Sequence, residues 1–375
     1  MDKLNELPQG WKWVKLGDVC ENTATRNPSL ESDFYYVDIS SVDNEIKKIV
    51  SPKLTLGKEA SSRARKVILE NDVIVSTTRP NLNAVAIIPT ELNNQIASTG
   101  FCVIRAKYNL LDNQYLFSFV KSSYFVENLS DEVRGALYPA VTDKQVFAQY
   151  IPLPPFPEQQ RLATLLTAKL ALIEQAKEKI TAQLQAAQEL TAAYLREVFE
   201  SEDFNKTLFE DIAFLQRGHD LTTSQQIKGE YPVVTSSGIN GWHNQFTVKS
   251  PCVMTGRSGS IGKVHYIEQD CWAHNTSLFI KDFKGNNPKY IYFLLNFIDL
   301  GKVCSGSGVP TLDRKWVHKL LVPHIKNTDK QKQLANYLTE KLATVEQLKA
   351  TLQTQLDSIN QLPAALLKQA FSGQL

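Results

Sequence analysis

Two long stretches of this chain repeat each other. In the first, apolar residues recur every three or four positions, as they do along one face of a helix: Leu162, Leu166, Leu170, Ile173, Ala176, Ile180, Leu184, Ala187, Leu190, Tyr194 and Val198. The same stripe returns 172 residues further on: Leu334, Leu338, Leu342, Val345, Leu348, Leu352, Leu356, Ile359, Leu362, Leu366 and Ala370. Identical residues at matched positions, such as Glu174 and Glu346, indicate an internal duplication.

Helices of this length constrain the fold. About 37 residues at roughly 1.5 Å each make a rod on the order of 55 Å, which a single globular core cannot cover. The stripe of one helix is therefore predicted to pack against the stripe of the other. An antiparallel coiled coil would place one domain at each end and give a dumbbell with pseudo-two-fold symmetry.

The duplication extends upstream of each helix. Three further pairs match after a one-residue adjustment: Gly135 with Gly306, Pro139 with Pro310, and Pro152 with Pro323. Strand-like segments at residues 72–78, 100–105 and 276–280 alternate with polar loops, and short amphipathic helices are predicted at residues 114–121 and 288–295. Each half is thus predicted to be an α+β domain followed by a long helix.

The segment IPLPPFPEQQR, residues 151–161, marks the first boundary. Proline fixes φ and lacks a backbone N–H, so this segment is predicted to be extended and unable to join a sheet interior. The predicted organisation is a first domain at 1–150, the proline segment and first helix at 151–200, a second domain at 201–322 and a second helix at 323–375. Pro363 is expected to kink the second helix.

Composition excludes several classes of protein. The five cysteines are scattered without a CxxC pair, and no two of the six histidines have the spacing of a helical metal site, so we expect neither a disulfide framework nor a metal. No apolar run reaches the roughly 18 residues that a membrane span requires. We therefore expect a cytoplasmic protein with no membrane partner. The net charge of +2 does not by itself indicate nucleic acid.

Catalytic motifs are not found. Residues 256–263, GRSGSIGK, resemble a phosphate-binding loop but have one residue too many between the glycines, and Val264 replaces the hydroxyl residue that binds magnesium. Glu45 and Lys47 have the form of a nuclease element but are interpreted as an exposed charged turn. No Asn-Pro-Pro-aromatic segment could hold a flipped adenine for methyl transfer. The chain is predicted to be non-catalytic.

The segment IPLPPFPEQQR, its second copy LVPHIKNTDKQ at 321–331 and the carboxyl-terminal LLKQAFSGQL resemble the specificity subunit of a Type I restriction-modification system. The resemblance implies two target recognition domains that each read half of a bipartite, asymmetric sequence in double-stranded DNA. It also implies two modification subunits that methylate adenine with S-adenosylmethionine, and restriction subunits for ATP-driven translocation and cleavage. S-adenosylmethionine, ATP and Mg are then expected on those partners, and no cofactor on this chain.

Two stretches resemble two different types of target recognition domain. The first comprises STTRPNLNAVAIIP at 76–89 with IASTGFCVIR at 96–105, and the second is TGRSGSIGKVHYIEQDCWAHNTSLFI at 255–280. Because they differ, the resemblance implies half-sites of unrelated sequence. The candidate DNA-binding residues are Thr77, Thr78, Arg79, Asn81, Asn83, Arg134, Tyr138, Arg217, Arg257, Ser258, Ser260, Lys263, His274, Asn275, Ser305 and Ser307.

Each candidate also has a structural interpretation. The loop around Arg79 could be a turn whose Asn and Thr side chains satisfy the backbone, and the glycine-rich loop could be a simple hairpin. His274 could be a satisfied structural histidine, and the loops containing Arg134 and Ser305 could only connect domain to helix. The rival function is a coiled-coil scaffold that binds other proteins; salt-sensitive DNA binding would distinguish the two.

Overall fold

The computed structural model describes residues 7–28, 33–133, 139–201, 204–298, 300–303 and 311–375. The chain divides into two compact units. Unit 1 comprises Met1–Lys179 with Leu356–Leu375, and unit 2 comprises Ile180–Gln355. Within the described part of the chain, no helix combines the length and apolarity that crossing a membrane requires.

The first half of the chain contains short strands, short helices and one long helix. The strands are β1 Lys12–Lys15, β2 Cys20–Glu21, β3 Asp33–Val37, β4 Val42–Asp43, β5 Lys48–Ile49, β6 Lys53–Leu56, β7 Ala64–Ile68, β8 Val73–Ser76, β9 Val85–Ile87, β10 Gln95–Ser98, β11 Phe101–Ala106 and β12 Tyr150–Leu153. The helices are α1 Leu16–Val19, α2 Asn113–Val120, α3 Ser123–Asp131, α4 Asp143–Phe147 and α5 Phe156–Phe199.

The second half follows the same plan. Its strands are β13 Asn205–Leu208, β14 Phe214–Arg217, β15 Tyr231–Thr235, β16 Gly238–His243, β17 Cys252–Gly256, β18 Val264–Ile267, β19 Trp272–Ala273, β20 Ser277–Asp282 and β21 Leu321–His324. Its helices are α6 Phe209–Ile212, α7 Pro288–Phe297, α8 Arg314–His318 and α9 Thr328–Phe371. The predicted α+β class with two long helices is confirmed.

The two halves share a sheet topology. One sheet has the order β2-β11-β8-β9 in unit 1, and its counterpart has the order β14-β20-β17-β18 in unit 2. A parallel pair recurs as well, formed by β3 with β10 and by β15 with β19. In both units the central strand that precedes the candidate loop, β8 or β17, is buried along its length, as its run of apolar residues dictates.

The proline segments begin as strands. Tyr150–Leu153 pairs antiparallel with Lys12–Lys15 and places Pro152 opposite Trp13, whereas Leu321–His324 pairs with Asn205–Leu208 and places Pro323 opposite Lys206. Each sheet has only two strands, so a proline without an N–H is tolerated there. The prediction that these prolines stay out of a sheet interior is confirmed, although the segment is a strand of its domain before it becomes a helix.

The two long helices have matched bounds. Each has 44 residues, and Phe156 and Phe199 of α5 correspond to Thr328 and Phe371 of α9 at the same 172-residue shift. Their length exceeds the predicted 37 residues because the helix begins at Phe156, within the proline segment. Helix α9 continues through Pro363.

In each unit, the beginning of one long helix and the end of the other lie in the same hydrophobic core. In unit 1, Leu162 and Leu166 of α5 share a core with Leu366 and Phe371 of α9. In unit 2, Val198 and Phe199 of α5 share a core with Leu334 and Leu338 of α9. Within each unit the two helices therefore run antiparallel, as predicted.

The terminal phenylalanine of each helix anchors it to a domain. Phe371 lies with its ring centroid 5.3 Å from those of Tyr115 and Phe119 on α2. Phe199 lies 5.6 Å from Tyr290 and 5.3 Å from Phe297 on α7. Burial of one phenylalanine contributes on the order of 2–3 kcal/mol, so these two contacts fix helix to domain in each unit.

Candidate nucleic-acid interface

The first candidate loop follows β8, at residues 77–83. Its base is fixed by Thr77, whose N–H and hydroxyl both donate to the carbonyl of Gly100, at 2.8 and 2.9 Å. The carbonyl of Thr77 accepts from the N–H of Val141 at 2.8 Å. Thr77 is buried and its hydroxyl is occupied. Of the predicted residues in this loop, Thr77 therefore supports the loop from inside and does not lie on the surface.

The tip of this loop has an unusual backbone. Arg79 and Asn83 both adopt left-handed conformations, with φ of 49° and 47°, on either side of a 3-10 turn at Pro80–Leu82. Such conformations are uncommon outside glycine and cluster at functional sites. Arg79 and Asn81 are exposed, whereas Thr78 and Asn83 are half-buried. The loop thus presents a guanidinium and an amide from a backbone that is held in place.

A neighbouring hairpin holds the far side of the loop. Lys47, in the turn between β4 and β5, donates from Nζ to the carbonyl of Asn83 at 2.6 Å. Asn44 of the same turn donates from Nδ2 to the carbonyl of Leu82 at 3.5 Å. Burial lowers the pKa of Lys47, and Asp43 only partly offsets this. Lys47 is half-buried, so the sequence interpretation of this segment as an exposed charged turn missed its role in supporting the loop.

The second candidate loop follows β17, and glycines determine its path. A Cβ on Gly256 would lie 1.9 Å from the carbonyl oxygen of Ser260, so only glycine fits there. Gly259 and Gly262 have φ of +80° and +75°. Ser260 and Lys263 are exposed, and Lys263 Nζ donates to the carbonyl of Ser237 at 3.1 Å. Arg257 and Ser258 are half-buried.

The two loops occupy equivalent places in the duplicated domain. The N–H of Arg257 donates to the carbonyl of Thr276 at 2.8 Å, as that of Thr77 does to Gly100. The carbonyl of Arg257 accepts from Leu312 at 2.8 Å, as that of Thr77 accepts from Val141. Backbone bonds thus fix both loops in the same way while their side chains differ.

The equivalence extends to the loops that precede each long helix. Arg134, Tyr138, Ser305 and Ser307 themselves lie outside the described residues. The residues that follow them are described: Thr78 forms an antiparallel bridge with Ala140, and Ser258 forms one with Thr311. Arg79 also donates its N–H to the carbonyl of Pro139 at 2.8 Å. In each unit, the loop that follows β8 or β17 is therefore hydrogen-bonded to the segment just before the long helix. That segment follows the loop containing Arg134 and Tyr138 in the first half and the loop containing Ser305 and Ser307 in the second.

Two other candidates, Arg217 and Asn275, meet around one carboxylate. Arg217 Nη2 lies 3.1 Å from Oδ1 of Asp220, and Asn275 Nδ2 donates to the same oxygen. Both predicted donors are therefore engaged with an acid in the free chain. His274 Nδ1 lies 3.0 Å from the hydroxyl of Thr276, in the satisfied arrangement of a structural histidine.

The neighbourhood of the second loop includes one further histidine. His265 Nε2 lies 3.1 Å from the carbonyl of Ser236. Its pKa is lowered, first by burial and to a smaller extent by the charge of Lys263.

Among the residues that the structure describes, no three His, Cys, Asp or Glu side chains come together as a metal site requires.

The family of the chain is shown by its sequence. The sequence model of the family described as "Type I restriction modification DNA specificity domain" matches residues 8–186 and again residues 201–358. These matches cover most of the chain. The chain belongs to this family and carries two copies of its domain, as the resemblance of its proline segments implied.

Individual relatives agree with this assignment. The chain is 24% identical over 160 residues to the Type I restriction enzyme HindI specificity subunit of Haemophilus influenzae, a match that covers 42% of this chain and 34% of that protein. It is 24% identical over 217 residues to the EcoAI specificity subunit of Escherichia coli, covering 54% of this chain and 35% of that protein. The chain thus spans about a third of the length of these curated relatives.

Solved structures match over the whole chain. The HsdS subunit of Thermoanaerobacter tengcongensis is 28% identical, with a TM-score of 0.73 over 100% of this chain and 99% of that one. A chain from a structure described as the basis of complex assembly and conformational transition of the type I R-M system is also 28% identical. Its TM-score is 0.88 over 99% of this chain and 100% of that one.

Proposed function

We propose that this chain is the DNA-specificity subunit of a Type I restriction-modification complex and reads an asymmetric, bipartite target. The observation that carries the proposal is the equivalence of the two strand-end loops. Equivalent backbone hydrogen bonds hold the two loops, yet the position that Thr77 occupies in the first loop is occupied by Arg257 in the second. The same backbone arrangement therefore carries different side chains. Two such surfaces are what a reader of two unrelated half-sites requires.

The exposed side chains of each loop suit contact with DNA. In the first loop, Arg79 and Asn81 have the geometry that pairs bidentately with guanine and adenine edges, respectively. In the second loop, Ser260 and Lys263 supply donors for phosphates or bases. Because Asp220 engages Arg217 and Asn275, these two residues contact DNA only after exchanging that partner.

The family and the surfaces of the long helices support the proposed partners. The stripe leaves Leu190, Leu348 and Leu362 exposed at 39, 42 and 47%, although their periodicity predicts burial. Leu172, outside the stripe, is 64% exposed. Helices with this much uncovered apolar surface support docking of two modification subunits, with restriction subunits joining the complex.

In this proposed function, the partner subunits carry out the chemical reactions. The chain itself is non-catalytic and binds no cofactor. The modification subunits would use S-adenosylmethionine to methylate adenine, and the restriction subunits would use ATP and Mg in the cytoplasm. The absence of a catalytic motif from the sequence and the exposed donors of the loops support this division.

Selection of DNA by the assembled complex tests the proposal. The chain, purified with its modification subunits, would be incubated with random duplex DNA, and the bound fraction sequenced. We expect enrichment of one bipartite motif with two unrelated halves, and affinity that falls with salt because phosphate contacts release counterions. Binding without any enriched motif, or no salt-dependent binding, would contradict the proposal and favour the protein-binding scaffold.

A further inference from the structure

An exposed carboxylate lies between two of the predicted DNA-binding residues of unit 2. Oδ1 of Asp220 accepts from Nη2 of Arg217 at 3.1 Å and also from Nδ2 of Asn275. Among the residues that the structure describes, these are the two hydrogen-bond donors of Asp220. Its side chain is 72% exposed and that of Arg217 is 50% exposed, so a DNA duplex can reach both.

The backbone holds this cluster together. The N–H of His219 donates to the carbonyl of Ala273 at 2.7 Å. A Cβ on Gly218 would lie 2.1 Å from the carbonyl oxygen of His274, so only glycine allows the segment after β14 to lie this close. The segment that ends in Asp220 is thereby held against the turn that carries the amide donor.

The cluster borders the second candidate loop. The carbonyl of Thr276, which follows Asn275, accepts from the N–H of Arg257 at the start of that loop, at 2.8 Å. In the first unit the corresponding acceptor is the carbonyl of Gly100, and the residue before it is Thr99. Threonine has no carboxamide, so this arrangement of side chains belongs to unit 2.

Contact with DNA changes what Asp220 can bond to. When Arg217 and Asn275 exchange their partner for DNA, the carboxylate loses both of its donors. An ionised carboxylate can only accept hydrogen bonds, and leaving it in an interface without a donor is costly. Phosphates offer no donor. In the major groove the base edges offer only two donors, the N4 amino group of cytosine and the N6 amino group of adenine.

We propose that Asp220 is a specificity-determining residue of unit 2 and accepts a hydrogen bond from the amino group of a cytosine or an adenine at one position of the half-site. Guanine and thymine present acceptors in the major groove, and a carboxylate repels them. Asp220 thus engages Arg217 and Asn275 in the free protein and excludes two of the four bases in the complex. The inference deepens the proposed function and rests on it.

Selection of random duplex DNA tests this role. The full chain, assembled with its modification subunits, would be compared with two variants. Asp220→Asn keeps the shape of the side chain but replaces an acceptor by an amide that also donates. Asp211→Asn makes the same change at an exposed carboxylate on α6, at the other end of β14 from Arg217, and serves as the control.

The expected signature is confined to one position. In the parent we expect guanine and thymine to be disfavoured there by about tenfold or more. Asp220→Asn should reduce this preference to about twofold or less, because an amide can donate to the acceptors of both bases. Its oxygen still accepts from Arg217 and Asn275, so the other positions of both half-sites should keep their preferences. Asp211→Asn should keep every preference. Because Asp220 is exposed, its variant should keep the parental melting temperature.

Two failures can be told apart. If the parent complex enriches a bipartite motif but Asp220→Asn relaxes no position, or relaxes both half-sites, only the role of Asp220 is overturned. Equal relaxation by Asp211→Asn would overturn it too. If the parent complex enriches no motif, the proposed function itself fails.

Discussion

Gln159 and Gln331 accept equivalent hydrogen bonds at equivalent places in the duplicated chain. Gln159 Oε1 accepts from the N–H of Asp112 at 2.9 Å, and Gln331 Oε1 accepts from the N–H of Asn287 at 2.8 Å. Asp112 and Asn287 are the N-cap residues of α2 and α7. Each glutamine is fully buried near the start of a long helix, so a single amide fixes that helix to its domain.

Removal of either amide should destabilise its unit. Gln159 Nε2 also donates to the carbonyls of Leu110 and Pro154 at 3.1 and 2.9 Å, so Gln159→Ala leaves three backbone groups without a partner. We expect a loss of unfolding free energy on the order of 2–4 kcal/mol, measured by chemical denaturation. The neighbouring Gln160 is exposed, and Gln160→Ala should change stability by less than about 0.5 kcal/mol. Equal effects of the two variants would contradict the assignment.

Gly256→Ala should damage the second loop selectively. The new Cβ would collide with the Ser260 carbonyl oxygen, so the loop must move, at a cost of roughly 1–3 kcal/mol. Selection of random DNA by the variant complex should lose one half of the motif and keep the other. Gly17→Ala, whose Cβ would have no neighbour closer than 3.4 Å, is the control. Unchanged preference in both halves for Gly256→Ala would show that this loop does not read DNA.

Lys121 should make stability depend on pH in a particular direction. Burial, and to a smaller extent the charge of Lys47, lower the pKa of Lys121 to about 8 in the folded chain, against 10.5 for an unperturbed lysine, so folding disfavours the protonated form. The penalty is complete below pH 8 and disappears as the pH rises toward 10.5. Lys121→Met should be more stable than the parent at pH 7 by roughly 1–3 kcal/mol. Chemical denaturation should show this gap closing by pH 10; a gap that does not change with pH would contradict burial of the charge.

Arg79→Gly should relax one half of the target. Glycine adopts the left-handed backbone of this position without strain, so the variant removes the guanidinium while the loop keeps its path. A lost bidentate contact to guanine costs about 1–3 kcal/mol of discrimination at one base pair. Sequencing of DNA selected by the variant complex should show lower preference at one position of one half-site. Relaxation in both halves, or in neither, would argue against direct reading by Arg79.

The sequence predicted the scaffold well because the scaffold depends on repeated patterns. The stripe from Leu162 to Val198 and its second copy located both long helices. The stripe was less reliable for burial: Leu348 and Leu362 follow the period yet remain exposed. Periodicity identifies one face of a helix but not which part of that face a partner covers.

The equivalence of the two candidate loops could not be seen in the sequence. Backbone hydrogen bonds define it, and these bonds do not require Thr77 and Arg257 to be similar. Thr77 was predicted to be a DNA-binding residue because it lies in a polar loop, but tertiary packing buries it. Local patterns therefore located the loops, and long-range contacts determine which side chains face outward.

Methylation mapping tests the central claim most directly. Long-read sequencing would locate methyladenine across the genome of a host that carries this gene with its modification gene, and across the same host after deletion of this gene alone. We expect methyladenine to disappear from one bipartite motif with two unrelated halves. If the modification subunits remain active and the methylation pattern is unchanged, the chain does not determine sequence specificity in that system.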